Sequence, residues 1–193
     1  MFFWRKIDGN NGFWKNVVFL ETNDHGMSED GDQRIDMVED VLATYVTGLP
    51  KYRLETRISR GMTLSGFFSD RMLVVKVIRE GIPQSLFMSI KDMAPFSDQE
   101  WSDFLDVSLK SLQRYKGDTE HIFKAIHSEK IIELAEVTSV GQAIFDTNGQ
   151  FASWLNTPSH ALGNMKPMEL LSDSYGKEMV LNELNRIDQG IFV

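Results

Sequence analysis

The stretch from Ser97 to Lys116 constrains the fold more than any other part of the 193-residue chain. Ser97 is followed three positions later by Glu100, a capping box that starts a helix by satisfying backbone donors at its first turn. Trp101, Phe104 and Leu105 give that helix an apolar side. Asp106-Val107 then reads as a tight turn, and Ser108 is placed to cap a second short helix whose apolar positions are Leu109, Leu112 and Tyr115. Gly117-Asp118-Thr119 stops it. Two short helices joined by so brief a turn make a helix-turn-helix unit. The rest of the composition suits such a helical domain. Hydrophobic residues at 42% and charged residues at 25% allow a buried core and exclude wholesale disorder. No apolar run approaches the roughly 20 residues that span a bilayer, and no sequence repeat points to a solenoid. The length suits one domain of moderate size or two small ones.

Helical periodicity extends on both sides of this unit. Met37, Val38, Val41, Leu42 and Tyr45 share one side of a helix beginning near Asp36 and ending before Gly48-Leu49-Pro50. Met72, Leu73, Val75, Val77 and Ile78 form an apolar segment compatible with a strand, but Gly81-Ile82-Pro83 behind it favours a glycine-capped helix. Pro83 opens the next helix, with Leu86, Phe87 and Ile90 inside and Pro95 beyond it. A longer helix is expected from about 120 to 137, with Ile122, Phe123, Ile126, Ile131, Leu134 and Ala135 buried. Shorter helices follow at about 140–145 and 148–156, and a last long one from Ser174 to Asp188 carries Met179, Val180, Leu184 and Ile187 as its apolar stripe. Residues 1–35 show no period. Turns at Gly9-Asn10-Asn11-Gly12 and Asn23-Asp24-His25-Gly26 flank Trp14–Leu20, which reads as a short strand or a loosely packed arm. The fold class expected is mostly α, with no strand after residue 60.

Net charge is −8, which argues against a non-specific nucleic-acid binder. The charge is uneven. Residues 24–40 hold seven acids (Asp24, Glu29, Asp30, Asp32, Asp36, Glu39, Asp40) against Arg34, whereas 51–60 hold Lys51, Arg53, Arg57 and Arg60 against Glu55. Residues 108–117 hold Lys110, Arg114 and Lys116 with no acid. The second helix of a DNA-reading helix-turn-helix lies in the major groove, and its outward set here is Ser108, Lys110, Ser111, Gln113, Arg114 and Lys116. Gln pairs bidentately with adenine and Arg with guanine. Lys116 suits a phosphate, as do Ser97 and Gln99 at the start of the preceding helix. The plainer alternative is a helical hairpin with a solvated charged face.

The run from Ser97 to Arg114 resembles the Xre-type helix-turn-helix of phage-repressor-like regulators, with Ser102 and Asp106 where that motif usually has Ala and Gly. Asp tolerates a left-handed backbone better than most residues. A second resemblance lies in the last 70 or so residues. Phe151-Ala152-Ser153-Trp154-Leu155-Asn156-Thr157-Pro158, Ala161-Leu162-Gly163, Lys166-Pro167-Met168-Glu169-Leu170-Leu171, Tyr175-Gly176 and the Gly190-Ile191-Phe192 ending stand in that order. This looks like the toxin-binding domain of the Xre/MbcA/ParS antitoxin family. Most of the signature makes structural sense: Asn156-Thr157-Pro158 halts a helix, Gly163 permits a turn, and Pro167 opens a helix. The resemblance implies a type II antitoxin that neutralises a RES-domain, NAD-consuming toxin by covering its active site, represses its own operon through DNA, and works as a homodimer on paired half-sites. It places the toxin contact on the last helix and tail, at Arg186, Gln189, Gly190, Ile191, Phe192 and Val193. The organisation expected is an accessory, partly irregular, dimerising arm at 1–60, the helix-turn-helix domain at 66–120, and an all-helical toxin-binding domain at 121–193.

Other function classes find little support. There are no cysteines, which removes thiolate zinc sites and a cysteine nucleophile. On one helix, His121 and His127 would point roughly 120° apart at 3.6 residues per turn; with His25 and His160 they show no zinc spacing. No phosphate-binding glycine loop, nucleophile elbow or dinucleotide fingerprint is present. Asp36, Glu39 and Asp40 read as a solvated helix face. Neither enzyme, cofactor nor metal is expected. The apolar start, Met1–Phe3 before Arg5 and Lys6, has the wrong order for a secretory signal, and a cytoplasmic protein is expected. A stand-alone helix-turn-helix regulator without a toxin partner is the alternative.

Overall fold

The computed structural model describes residues 27–49 and 62–190. The turns and arm expected before residue 27, the basic stretch 51–60 and the tail residues Ile191, Phe192 and Val193 lie outside the described residues. Among the described residues the chain is all helical: α1 (Met27–Gly48), α2 (Leu64–Ser69), α3 (Arg71–Glu80), α4 (Gln84–Met93), α5 (Asp98–Phe104), α6 (Leu109–Gly117), α7 (Ala125–Ile144), α8 (Asn148–Leu155), a 3-10 turn (His160–Leu162), α9 (Pro167–Leu170) and α10 (Ser174–Asp188). In place of strands there are two isolated bridges, Pro83 with Ile122 and Ser159 with Met165.

Local chemistry sets most boundaries. Asp70 caps α3 by accepting from the Leu73 amide, and Gly81 ends it at φ 90°, a backbone region open to glycine. Ser97 and Glu100 form the reciprocal capping box on α5. Asp106 takes φ 51° in the turn to α6, and the Ser108 hydroxyl accepts from the Ser111 amide. Pro167 stands in the first turn of α9, and Asp173 caps α10 by accepting from Gly176.

Helix α7 is the spine. It packs on α3 and α10, with α2, α4 and α8 also against it. One continuous buried cluster runs from Val38, Leu42 and Val46 of α1 through Phe87, Trp101, Leu112 and Phe123 to Phe151, Leu155, Val180 and Leu184. Burying aromatic side chains of this size removes a large apolar area from water. Phe87 meets Trp101 edge-on at 5.3 Å, and Phe96 meets the same indole at 5.7 Å. Buried polar groups are used as ties. The Ser128 hydroxyl accepts from the Ile82 amide at 2.9 Å and donates to the Phe123 carbonyl at 3.1 Å. The Tyr45 hydroxyl donates to the Gly81 carbonyl at 2.6 Å, and burial with Glu80 nearby pushes its pKa up to about 12.

Several expectations are corrected. Helix α1 begins at Met27, nine residues before the expected Asp36. Helix α7 begins at Ala125 because residues 121–124 pair with the segment that leads into α4: the Phe123 amide donates to the Ile82 carbonyl and the Gln84 amide to the His121 carbonyl. The helix expected at 140–145 is the end of α7. Met37, Met72, Val75, Leu109, Ile122, Ile126 and Met179 are exposed. They obey the helical period, but Val38, Leu73, Val77, Leu112, Phe123, Ile131 and Val180 take the core, and each helix presents only one arc to it. Glu39, read as part of a solvated acidic face, accepts from the Leu64 amide at 2.7 Å and so caps α2 from a distance; Asp36 and Asp40 are exposed as expected.

Candidate functional site

Two faces collect the residues singled out by sequence. The first is the α5–α6 unit. Lys110, Gln113 and Arg114 are exposed along α6, and Ser108 is exposed at its cap, with Ser111 half-buried beneath. Lys110 and Arg114 make no ion pair with any described residue. The Arg114 guanidinium lies 5.3 Å from the Tyr115 ring centroid, within cation–π range. The other members are engaged internally. The Ser97 hydroxyl holds the capping box, and the Gln99 amide donates to Asp103 at 2.8 Å. Lys116 differs most from expectation. Its ammonium pairs with Asp98 at 2.8 Å, and Lys91 pairs with the other oxygen of the same carboxylate at 2.7 Å. Hydrogen bonds from Lys116 and then Lys91 hold the Asp98 carboxyl below its usual pKa.

Behind α6 a ladder of rings joins it to the spine. Tyr115 stacks on His121 at 4.1 Å, His121 meets Phe123 edge-on at 4.7 Å, and Phe123 meets His127 at 6.4 Å. The His121 Nε2 is buried without a partner. Burial is the main cause that lowers the pKa of both imidazoles, with Arg114 adding to it at His121 and Lys124 with His121 at His127. The unfolded chain binds these protons near pH 6.5, whereas the fold favours the neutral rings. Stability from these groups is therefore full above about pH 6.5 and lost as pH falls through that value. The urea midpoint should drop between about pH 7 and about pH 5, and a H121Q/H127Q variant should flatten that slope. Identical slopes in the two proteins would contradict the assignment.

The second face is the carboxyl-terminal helix. Gly176, Val180 and Leu184 of α10 turn inward. Lys177 pairs with Glu136 of α7 at 2.7 Å, and Lys130 of α7 donates to the Leu171 carbonyl at 3.2 Å, which fastens α9 and α10 to the spine. Tyr175, at 85% exposed, and Met179, at 45%, stand on the outer side. Arg186 and Gln189 continue along the helix, with Arg186 3.4 Å from Glu183, and Gly190 follows at φ 68°. Sequence periodicity missed Tyr175 and read Met179 as core. Setting the register by the 176, 180, 184 spacing leaves 175 and 179 off the buried row, and that was the signal to follow. Trp154 is half-buried, tilted against Phe145 at 5.8 Å and stacked on Phe151 at 6.1 Å, and braces α8.

Residues 141–190, from the end of α7 through α10, match the family model of the antitoxin Xre/MbcA/ParS C-terminal toxin-binding domain. This carboxyl-terminal part of the chain is similar to the toxin-binding domain of that antitoxin family. A chain of the crystal structure of the M. tuberculosis MbcT–MbcA toxin–antitoxin complex is similar to the protein at 23% identity and a TM-score of 0.46, over 57% of this chain and 96% of that one. No curated protein matches it. Among the described residues no helix is long and apolar enough to cross a membrane, and no group of His, Asp and Glu is arranged to hold a metal.

Proposed function

We propose that this antitoxin neutralises a RES-domain, NAD-consuming toxin by covering its active site, and represses the shared operon through its helix-turn-helix. The observation that carries the first half is the toxin-binding family match over 141–190, which ends on a helix with an outward apolar pair, Tyr175 and Met179. Large exposed side chains beside a cationic one are the residue types that dominate protein interfaces. The toxin contact then runs from Tyr175 and Met179 to Arg186, Gln189 and Gly190 and on to Ile191, Phe192 and Val193. No residue set for general acid–base or nucleophilic chemistry is part of this reading.

The DNA-binding half rests on α6. Lys110, Gln113 and Arg114 are exposed together on the second helix of the unit, where base edges are read. Ser108 and Ser111 sit at its start, and Ser97 and Gln99 lie at the start of α5. A reader of this kind acts as a homodimer on half-sites about one helical turn apart. Changing Lys110, Gln113 and Arg114 together to alanine should abolish the mobility shift of the operon's own promoter DNA and leave the toxin complex intact. A promoter shift that survives the triple change contradicts the recognition-helix assignment.

A further inference from the structure

Asp98 occupies an unusual place for a protein read as a DNA binder. It is the first residue of α5, half-exposed, and both its oxygens are taken by lysines from other helices. Lys91 comes from the last turn of α4 and Lys116 from the last turn of the recognition helix. A structural reason for one such pair is easy to find, since it links α5 to α6. Two lysines on one carboxylate leave an excess positive charge, part of it at the end of the helix that carries Lys110 and Arg114. Lys91 is 14% exposed, but Lys116 at 27% and Asp98 at 37% reach solvent, where other anions compete for the ammonium. A phosphate offers the same oxygen chemistry with more charge.

We propose that Asp98 is an internal competitor for DNA phosphate: it holds Lys91 and Lys116 on the protein and thereby sets the affinity of the helix-turn-helix for DNA. This rests on the DNA-binding reading above. In the free protein, Lys116 is directed at Asp98 and contributes nothing to a backbone contact. Engaging DNA then requires breaking the pair, which lowers affinity and leaves the bases read through Lys110, Gln113 and Arg114 to decide where the protein binds. The arrangement biases a weak reader toward its specific site, because non-specific binding depends most on cationic contacts to phosphate.

The test compares the full-length wild type with D98N, with D98N/K91A/K116A, and with the K110A/Q113A/R114A variant. The probe is a mixed-sequence DNA duplex, titrated over a range of salt concentrations. D98N keeps the size and the helix-starting position of the side chain but cannot hold the ammonium groups. It should bind about tenfold more tightly at low salt, with a salt slope steeper by about one to two, since each phosphate contact adds roughly 0.9 to that slope. The triple D98N/K91A/K116A change should return both to wild-type values. Thermal melts of all variants separate a loss of fold from a loss of contact. If D98N binds as the wild type does, while K110A/Q113A/R114A loses binding, the inference is overturned and the recognition helix stands. If neither wild type nor D98N binds the duplex at the lowest salt, this inference is overturned; the DNA-binding reading falls with it only if the operon's own promoter is not shifted either.

Discussion

Gly176→Val will destabilise the protein by about 3 kcal/mol, the upper range for overpacking a well-filled core. The glycine lies in the first turn of α10, its amide held by Asp173 at 2.8 Å. A Cβ placed there would collide with the Leu170 carbonyl oxygen and come within 2.8 Å of the carbonyl carbon and 3.0 Å of the Cα. These are backbone atoms of α9, which is itself fixed to α7 through the adjacent Leu171 carbonyl and Lys130. Neither side can move without pulling α10 off the spine. Helix propensity runs the other way only weakly, since the roughly 0.5–1 kcal/mol gained by replacing a helical glycine with alanine is smaller for β-branched valine, and the clash is larger. Gly117, where a Cβ would meet nothing within 4 Å, is the control: Gly117→Ala should leave the urea midpoint unchanged or slightly raised. Equal midpoints for Gly176→Val and wild type would contradict the close packing of α9 and α10.

The second large effect is on binding. Tyr175→Ala combined with Met179→Glu should weaken the toxin complex at least about 100-fold, the effect of losing two interface side chains of at least about 1.4 kcal/mol each. Both side chains project outward from α10, so the melting temperature should hold. Their removal takes away an apolar anchor and puts a carboxylate in its place, which a closed interface would have to desolvate. Isothermal titration with purified toxin measures the change. An unchanged dissociation constant would move the contact away from this face of α10.

What was legible in the sequence follows from how local each cause is. The capping box of α5 and the side-chain caps of α3, α6, α8 and α10 are written within three or four residues, and those helices lie within a residue or so of where the sequence puts them. Ser97 and Glu100, Asp106, Ser108 and Pro167 behave as their chemistry requires. The start of α7 was not legible, because residues 121–124 are held out of the helix by bonds to Ile82 and Gln84, distant in sequence, at the entry to α4. Periodicity found the helices but drew their apolar faces too wide. Met37 against Val38, Met72 against Leu73 and Met179 against Val180 are neighbouring residues of similar hydrophobicity, and only packing decides which is inside. The site divides in the same way. Lys110, Gln113 and Arg114 are exposed as their polarity suggests. The Lys116 pairing with Asp98 spans 18 residues and has no signature along the chain. The role of Gly176 depends on a backbone approach from α9, which a motif records without explaining.

Under the function proposed above, this chain silences an NAD-consuming toxin encoded beside it. The direct measurement is NAD loss by the purified product of the neighbouring gene, followed with and without an equimolar amount of this chain. The account predicts a stable complex and suppressed NAD loss. NAD loss that continues unabated in the presence of this chain, with no complex formed, would contradict it.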